Sequence, residues 1–423
     1  MGVSTNLARP QSRKTVLPNG VQVLTEHLHH VDSVSLGVWL ATGVEDEPAE
    51  LGGITHFIEH MLFKGTETRS TLDIAEATDG IGGQVNAFTD RECMYLYART
   101  IGEQAEEALE LVFDLLLHSV FPEEEIAREQ DVVVQEIGHL EDSPEDWVHE
   151  VLLRAAWGGH PLGRPLMGAP ESVRGIQREV IVDHLGQTLT GDRLIVSAAG
   201  DVEHELVVEN VARLASDVPR AERAPSPAGE APAFQPERLV ISRPTGQVHF
   251  CLGTPGCSRT DERRHAFAVL DTILGGGTSS RLFQEIRENR GLAYSIGCYL
   301  QAYRSVGLLT IDAGTRRESF ELVLEVIGEE VERLRKEGPT PRELERAKTQ
   351  LKVGLALAAE STSFRMQHLA VSTMDWDRVV SFEEIAAGVD AVTAEDVHDL
   401  TGAAFTPEGQ ALAAIGPFGG EGA

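Results

Sequence analysis

Cysteine is scarce in this chain. Cys93, Cys251, Cys257 and Cys298 are the only four thiols in 423 residues, and no two stand at C-x-x-C spacing. That argues against a disulfide framework and leaves reduced, mostly buried side chains as the expectation. Long apolar runs are absent too. No stretch is long enough to span a bilayer, and residues 1–10 carry neither an apolar signal core nor a cleavage pattern. The expected setting is cytoplasmic or an organelle matrix, with no membrane span. Positive charge is in deficit: 36 Lys and Arg face 67 Asp and Glu, for a net charge of −31. A phosphate backbone would be repelled, which argues against nucleic acid as a partner. A phosphate-binding loop is missing as well, because no Lys-Ser or Lys-Thr pair follows Gly275–Gly277 in the required register.

What is present supports a folded chain of two or three domains, since 42% of the residues are hydrophobic. Strand-like and helix-like patterns alternate in the first half. Pro18-Asn19-Gly20 is a turn, and Val21–Glu26 and Val34–Leu40 read as strands. Thr71–Thr78 reads as a helix stopped near Gly80, and Gln84–Thr89 with Met94–Thr100 as a hairpin-like pair. Long helical patterns cover Glu103–Ser119 and Glu123–Leu140, the second opened by Pro122 at its first position. Arg193–Gly200 reads as the last strand of this half. Between Asp217 and Glu237 lie Pro219, Pro225, Pro227, Pro232 and Pro236, a linker composition. The expected division is therefore 1–216, a linker over 217–237, and 238–423.

The chemistry concentrates in His56-Phe57-Ile58-Glu59-His60. On a helix, histidines at i and i+4 share a face, which is the spacing two imidazoles need to grip one metal ion. Catalytic zinc takes three protein ligands and keeps one position open, so a third ligand is required. Glu136 is the candidate, because it lies in the second long helical pattern and carboxylates are ordinary zinc ligands. Glu59, beside the second histidine, is placed to act as general base toward water. The order H-x-x-E-H is the inverted form of the zincin signature. Glu129 and Glu136 stand seven apart on one helix face, so one can bind the metal while the other orients a histidine. His27, His29 and His30 share a polar loop without partners at ligand spacing, and His160 reads as a turn residue.

Over nearly its whole length the chain resembles the pitrilysin-like metallopeptidases. It is most similar to their half-size branch, which includes the catalytic subunit of the mitochondrial processing peptidase and its bacterial relatives. The resemblance is carried by Leu17-Pro18-Asn19-Gly20, by Gly52-Gly53-Ile54-Thr55-His56 through His60-Met61-Leu62-Phe63-Lys64-Gly65-Thr66, and by Gly82-Gly83 and Asn86-Ala87-Phe88-Thr89. Glu129 and Glu136, Arg281-Leu282-Phe283 through Arg287, and Gly291-Leu292-Ala293-Tyr294-Ser295 complete it. It implies one zinc ion per chain on His56, His60 and Glu136, Glu59 as base, and Glu129 as the carboxylate that orients a ligand. It further implies that extended substrate pairs with the strand bearing Asn86 and Ala87, and that Arg287 and Tyr294 reach substrate and the developing oxyanion.

Beyond the linker the pattern restarts. Strand-like segments at Leu239–Ser242 and Val248–Gly253 precede a helical pattern at Arg264–Leu274. With Gly277-Thr278 laid on Gly65-Thr66, the metal positions fall on Ala268, Asp271 and Thr272. With Pro341 laid on Pro122, Lys348 and Leu355 stand where Glu129 and Glu136 stand. The expected fold is α+β: two homologous domains, each a mixed or antiparallel sheet packed with helices, related by duplication, the second without its metal ligands. The functional expectation is a zinc endopeptidase acting in an enclosed chamber on peptides or unfolded segments. Acidic lining would draw basic ones, and the assembly would be a homodimer or a pair with a related subunit. The alternative is a noncatalytic assembly subunit of the same fold; a third reading is a peptidase dedicated to maturing a small peptide cofactor precursor.

Overall fold

The strands form two sheets, one from each half of the sequence, with central strands buried along nearly their whole length. The computed structural model describes residues 11–221, 231–406 and 409–419. The first half contributes β1 (Ser12–Val16), β2 (Gln22–His27), β3 (Ser33–Leu40), β4 (Gln84–Thr89), β5 (Met94–Ile101) and β6 (Leu194–Gly200). They are ordered β1-β2-β6-β3-β5-β4. The second half contributes β7 (Arg238–Ser242), β8 (Val248–Pro255), β9 (Ala293–Ala302), β10 (Gly307–Thr315) and β11 (Ala411–Gly416), ordered β7-β11-β8-β10-β9. Leaving out β1, the two orders coincide term by term. In each sheet one neighbouring pair is parallel, β2 with β6 and β7 with β11, and the other pairs are antiparallel.

The helices repeat in the same way. The first set is α1 (Ile54–Met61), α2 (Thr71–Gly80), α3 (Ala105–His118), α4 (Glu123–Glu141), α5 (Pro144–Trp157), α6 (Pro170–Arg174), α7 (Arg178–Thr188) and α8 (His204–Leu214). The second is α9 (Arg264–Leu274), α10 (Phe320–Glu337), α11 (Pro341–Ala358), α12 (Thr362–Trp376), α13 (Phe382–Ala391) and α14 (Ala394–Ala404). A π-helix, Phe283–Asn289, follows α9. The fold is α+β and internally duplicated. Among the described residues no helix is long and apolar enough to cross a membrane. All four cysteines are free and buried.

Each sheet is covered on one face by a helix of the other half. From α12, Met366, Leu369 and Ala370 pack on Leu24, Trp39, Tyr95 and Ile195 of the first sheet. From α5, Val151, Leu152, Ala155 and Trp157 pack on Cys251, Leu308, Ala411 and Ala413. Full burial of such side chains stabilises by roughly 1.5–3 kcal/mol apiece. Matching glycines permit both approaches. A Cβ on Gly37 of β3 would stand 2.7 Å from Met366 Sδ, and one on Gly253 of β8 would stand 3.1 Å from a Leu152 methyl.

Local reading missed β1 and placed Pro122 one residue too far along. Phe121 has positive φ and Pro122 is extended, so α4 begins at Glu123 with Pro122 as its cap. Of the proline-rich segment, residues 222–230 lie outside the described residues. Its two ends are anchored: Val218 joins the first core and Phe234 packs beside Trp157.

On α9, Asp271 stands where the alignment lays Glu59, in an apolar setting. Burial pushes its carboxyl up to about 7, opposed by the Cys298 thiol and the Leu300 N–H. Its Oδ1 has no hydrogen-bond partner among the described residues. A raised carboxyl pKa means that the folded chain holds a proton the unfolded chain releases, so stability falls as pH climbs from the ordinary value of 3.8 to about 7 and levels off above it. Asp271→Asn removes that loss. Denaturant titrations of both proteins should show little difference at pH 4 and an advantage for the variant at pH 8 on the order of 4 kcal/mol at most.

Candidate metal centre

Helix α1 carries two faces of opposite character. Ile54, Phe57, Ile58 and Met61 are buried in the first core with Val133 and Ile137 of α4, which fixes how the two helices cross. The crossing leaves His56, Glu59 and His60 on the remaining face, opposite Glu136. The metal-binding atoms of His56, His60 and Glu136 lie within 4.8 Å of one another, the one such cluster found among the described residues. His60 Nε2 is 3.3 Å and His56 Nε2 3.9 Å from Glu136 Oε2. Tetrahedral zinc with bonds of about 2.0–2.1 Å separates its ligand atoms by about 3.3 Å. Glu136 keeps 44% of its side-chain surface, so rotation can close the longer gap. Its Oε2 is buried without a hydrogen-bond donor, which fits an atom shaped for a metal ion. Burial and the neighbouring His60 lower the His56 pKa to about 4, so this imidazole is neutral near pH 7 and offers its lone pair without first losing a proton.

Glu129 is 5% exposed, and its Oε2 lies 3.2 Å from His60 Nδ1. That contact puts the ring proton on Nδ1 and turns Nε2 toward the centre. Lys64 Nζ holds the other oxygen of Glu129 at 2.7 Å. Thr89, at the end of β4, donates its hydroxyl to Glu59 Oε2 at 2.6 Å. Burial raises the Glu59 pKa, with the Thr89 hydrogen bond opposing.

Strand β4 lies at the edge of its sheet, pairing with β5 on one side. Along it Val85, Ala87 and Thr89 are buried while Gln84, Asn86 and Phe88 are exposed. The Ala87 N–H donates to Asn86 Oδ1 at 2.9 Å. Arg287 and Tyr294 come together elsewhere: the guanidinium of Arg287, on the π-helix, lies 5.1 Å from the ring of Tyr294, which is the second residue of β9 and is 76% exposed. Beside His56 opens a cavity of about 450 Å³ with Trp147, Met167, Glu141, Asp146 and Glu150 in its lining.

Two contacts were not assigned from sequence. Lys64 stands at i+4 from His60, and Thr89 shares the inward period of β4 with Ala87; both spacings were visible, but their carboxylate partners were not.

Comparison with known proteins agrees with this picture. Residues 22–170 match the family model described as insulinase, peptidase family M16, and residues 175–351 match the M16 inactive domain. A protein of Bacillus subtilis described as an uncharacterized zinc protease is 39% identical over 401 residues, spanning 95% of this chain and 97% of its own length. One of the same description from Streptomyces coelicolor is 38% identical over 400 residues, 91% of this chain and 85% of that one. Among solved structures, an M16 inactive-domain protein of Pseudomonas fluorescens superposes with a TM-score of 0.89 at 21% identity, covering 98% of this chain and all of the other. A Helicobacter pylori protease gives 0.88 at 19% identity, covering 96% of this chain and 100% of the other.

Glu129→Gln keeps the shape of the side chain but weakens its grip on His60 and frees Lys64. Chelator competition should show zinc held about 10–100-fold more weakly, with the far-UV spectrum unchanged. Affinity equal to that of the unaltered chain would remove Glu129 from the centre.

Proposed function

The chain belongs to the M16, or insulinase, family of peptidases, and on that premise we propose that it is a zinc-dependent endopeptidase with one metal ion per chain. The observation that carries the reading is the convergence of His56, His60 and Glu136 with Glu59 on the same face. When bound, zinc supplies a Lewis acid that brings the pKa of water to about 7. Thr89 occupies Oε2 of Glu59, so Oε1 is the atom that takes the proton. Burial raises the Glu59 pKa, which makes it a stronger base than an ordinary carboxylate. Peptide lies along the open edge of β4 as an added strand, with Asn86 and Ala87 meeting its backbone. The cavity beside His56 sets Glu141, Asp146 and Glu150 against Arg154 in its lining, with Arg91 engaging Glu150 at 2.8 Å; the remaining acidic balance favours basic side chains.

In this reading residues 1–216 carry the metal chemistry and 238–423 form a degenerate copy whose contribution is Arg287 and Tyr294. The copy has Ala268, Asp271 and Thr272 at the metal positions, which suits the inactive-domain match. Two chains form a homodimer, so that Arg287 and Tyr294 of one protomer serve the other's metal. The noncatalytic alternative gains no support at the centre, where all three ligands and the base are present.

Metal analysis combined with cleavage of a mixed peptide library tests the assignment. Glu59→Gln should keep stoichiometric zinc and lose about 10²–10⁴-fold in kcat. Stoichiometric zinc with no Glu59-dependent cleavage would instead favour the assembly role. For the shared site, mixing Glu59→Gln chains with Arg287→Ala chains should restore part of the activity. Verified mixed dimers that stay inactive would rule out sharing.

A further inference from the structure

Helix α1 spans only eight residues and leaves its first N–H groups without partners inside the helix. Its own cap, Gly53, is left-handed and has no side chain to offer. The missing acceptor comes from outside. Glu47, 1% exposed, accepts from Gly53 N–H at 2.8 Å through Oε2 and from Thr55 N–H at 2.9 Å through Oε1. A carboxylate at this end also opposes the positive pole of the helix.

Glu47 is itself held. Arg164 Nη1 donates to its carbonyl at 3.1 Å. The preceding residue, Asp46, is locked 3.0 Å from Arg193, which also donates to the Ala41 carbonyl and the Thr42 hydroxyl. On the other side of the helix start, Ser172 Oγ donates to the Gly52 carbonyl at 2.7 Å, and a Cβ on Gly53 would meet the Met167 carbonyl at 2.4 Å. Two hydrogen bonds accepted by one carboxylate, from the cap and from the second residue of the helix, fix both the height and the rotation of α1. His56 follows Thr55 directly, and His60 is one turn further on.

We propose that Glu47 is a positioning residue of the metal centre: its two-pronged grip on the start of α1 sets the rotation that aims His56 and His60 at Glu136. The inference rests on the zinc reading above but concerns a residue with no contact to the metal. A free rotation of α1 would sweep both imidazoles together, so the loss of Glu47 acts on the ligand set and not on one bond. Burial pushes this carboxyl up to about 7, opposed by the Thr55 and Gly53 N–H groups, the Thr55 side chain and the charge of Arg164.

Glu47→Gln tests it, with one acceptor kept and one replaced by a donor that faces an N–H. The variant is expected to melt within a few degrees of the unaltered protein and to hold zinc about 10–100-fold more weakly, the range seen when groups that orient ligands are lost. Its cobalt-substituted form should show a changed visible spectrum, and kcat should fall with KM unchanged. Zinc affinity and cobalt spectrum equal to those of the unaltered protein would overturn the proposal. So would a lowered melting temperature with unchanged metal affinity, the mark of a merely structural cap. Should the glutamine variant fail to fold, Glu47→Asp, too short to reach both N–H groups, takes its place with the same expected and contrary outcomes. An unaltered chain that binds no zinc would sink the zinc reading itself, a result distinct from any of these.

Discussion

The crossing of α1 over α4 is the constraint on which the rest depends. It places His60 Nε2 3.3 Å from Glu136 Oε2, across 76 positions of sequence. Apolar packing brings the helices together through Phe57, Ile58, Val133 and Ile137, but such contacts are non-directional and tolerate sliding. Direction comes from the polar groups around them. Glu129, itself paired with Lys64, holds one imidazole, Thr89 donates to Glu59, and Glu47 accepts from the helix start. These four side chains are spread over a loop, a helix end, a strand end and a second helix, so the centre is held from several sides at once.

Much of this was legible in the residues. His56, Glu59 and His60 sit within a single helical turn and a fraction, where spacing alone predicts a shared face. Glu129 and Glu136 were legible as a pair for the same reason, and the repeat showed itself through glycine and proline landmarks at Gly277 and Pro341. What stayed hidden is non-local. A buried glutamate such as Glu47 looks, in sequence, like one more acidic residue in a chain that has 67 of them. The partner of Lys64 lies 65 positions away, and that of Thr89 lies 30 positions back. The bed that each sheet provides for a helix of the opposite half is still less visible, because Gly37 and Gly253 have meaning only beside Met366 and Leu152. The π-helix under Arg287 has no periodic signature that distinguishes it from an α-helix.

The two halves show which demands outlast chemistry. Strand order and the glycine under each crossing helix recur in both, while α9 carries Ala268 and Thr272 at the positions laid on His56 and His60. Asp271 is a carboxylate retained without the cation that would make its charge welcome. Packing constrains the shared architecture, and only the site constrains the ligands.

The exchange of α5 and α12 bears on how the chain must be made. Ser35 on β3 bonds Thr362 and Ser363 at the start of α12, a contact more than three hundred residues long, and Arg365 reaches back to Glu26 in a partly buried pair. Until the ribosome has released Trp376, one face of the first sheet waits with Trp39 and Tyr95 uncovered, and contacts of this range close slowly. Neither half is a finished object without the other. A gene cut at the proline-rich segment would yield two fragments, each with its own core but with one sheet face bare until they meet.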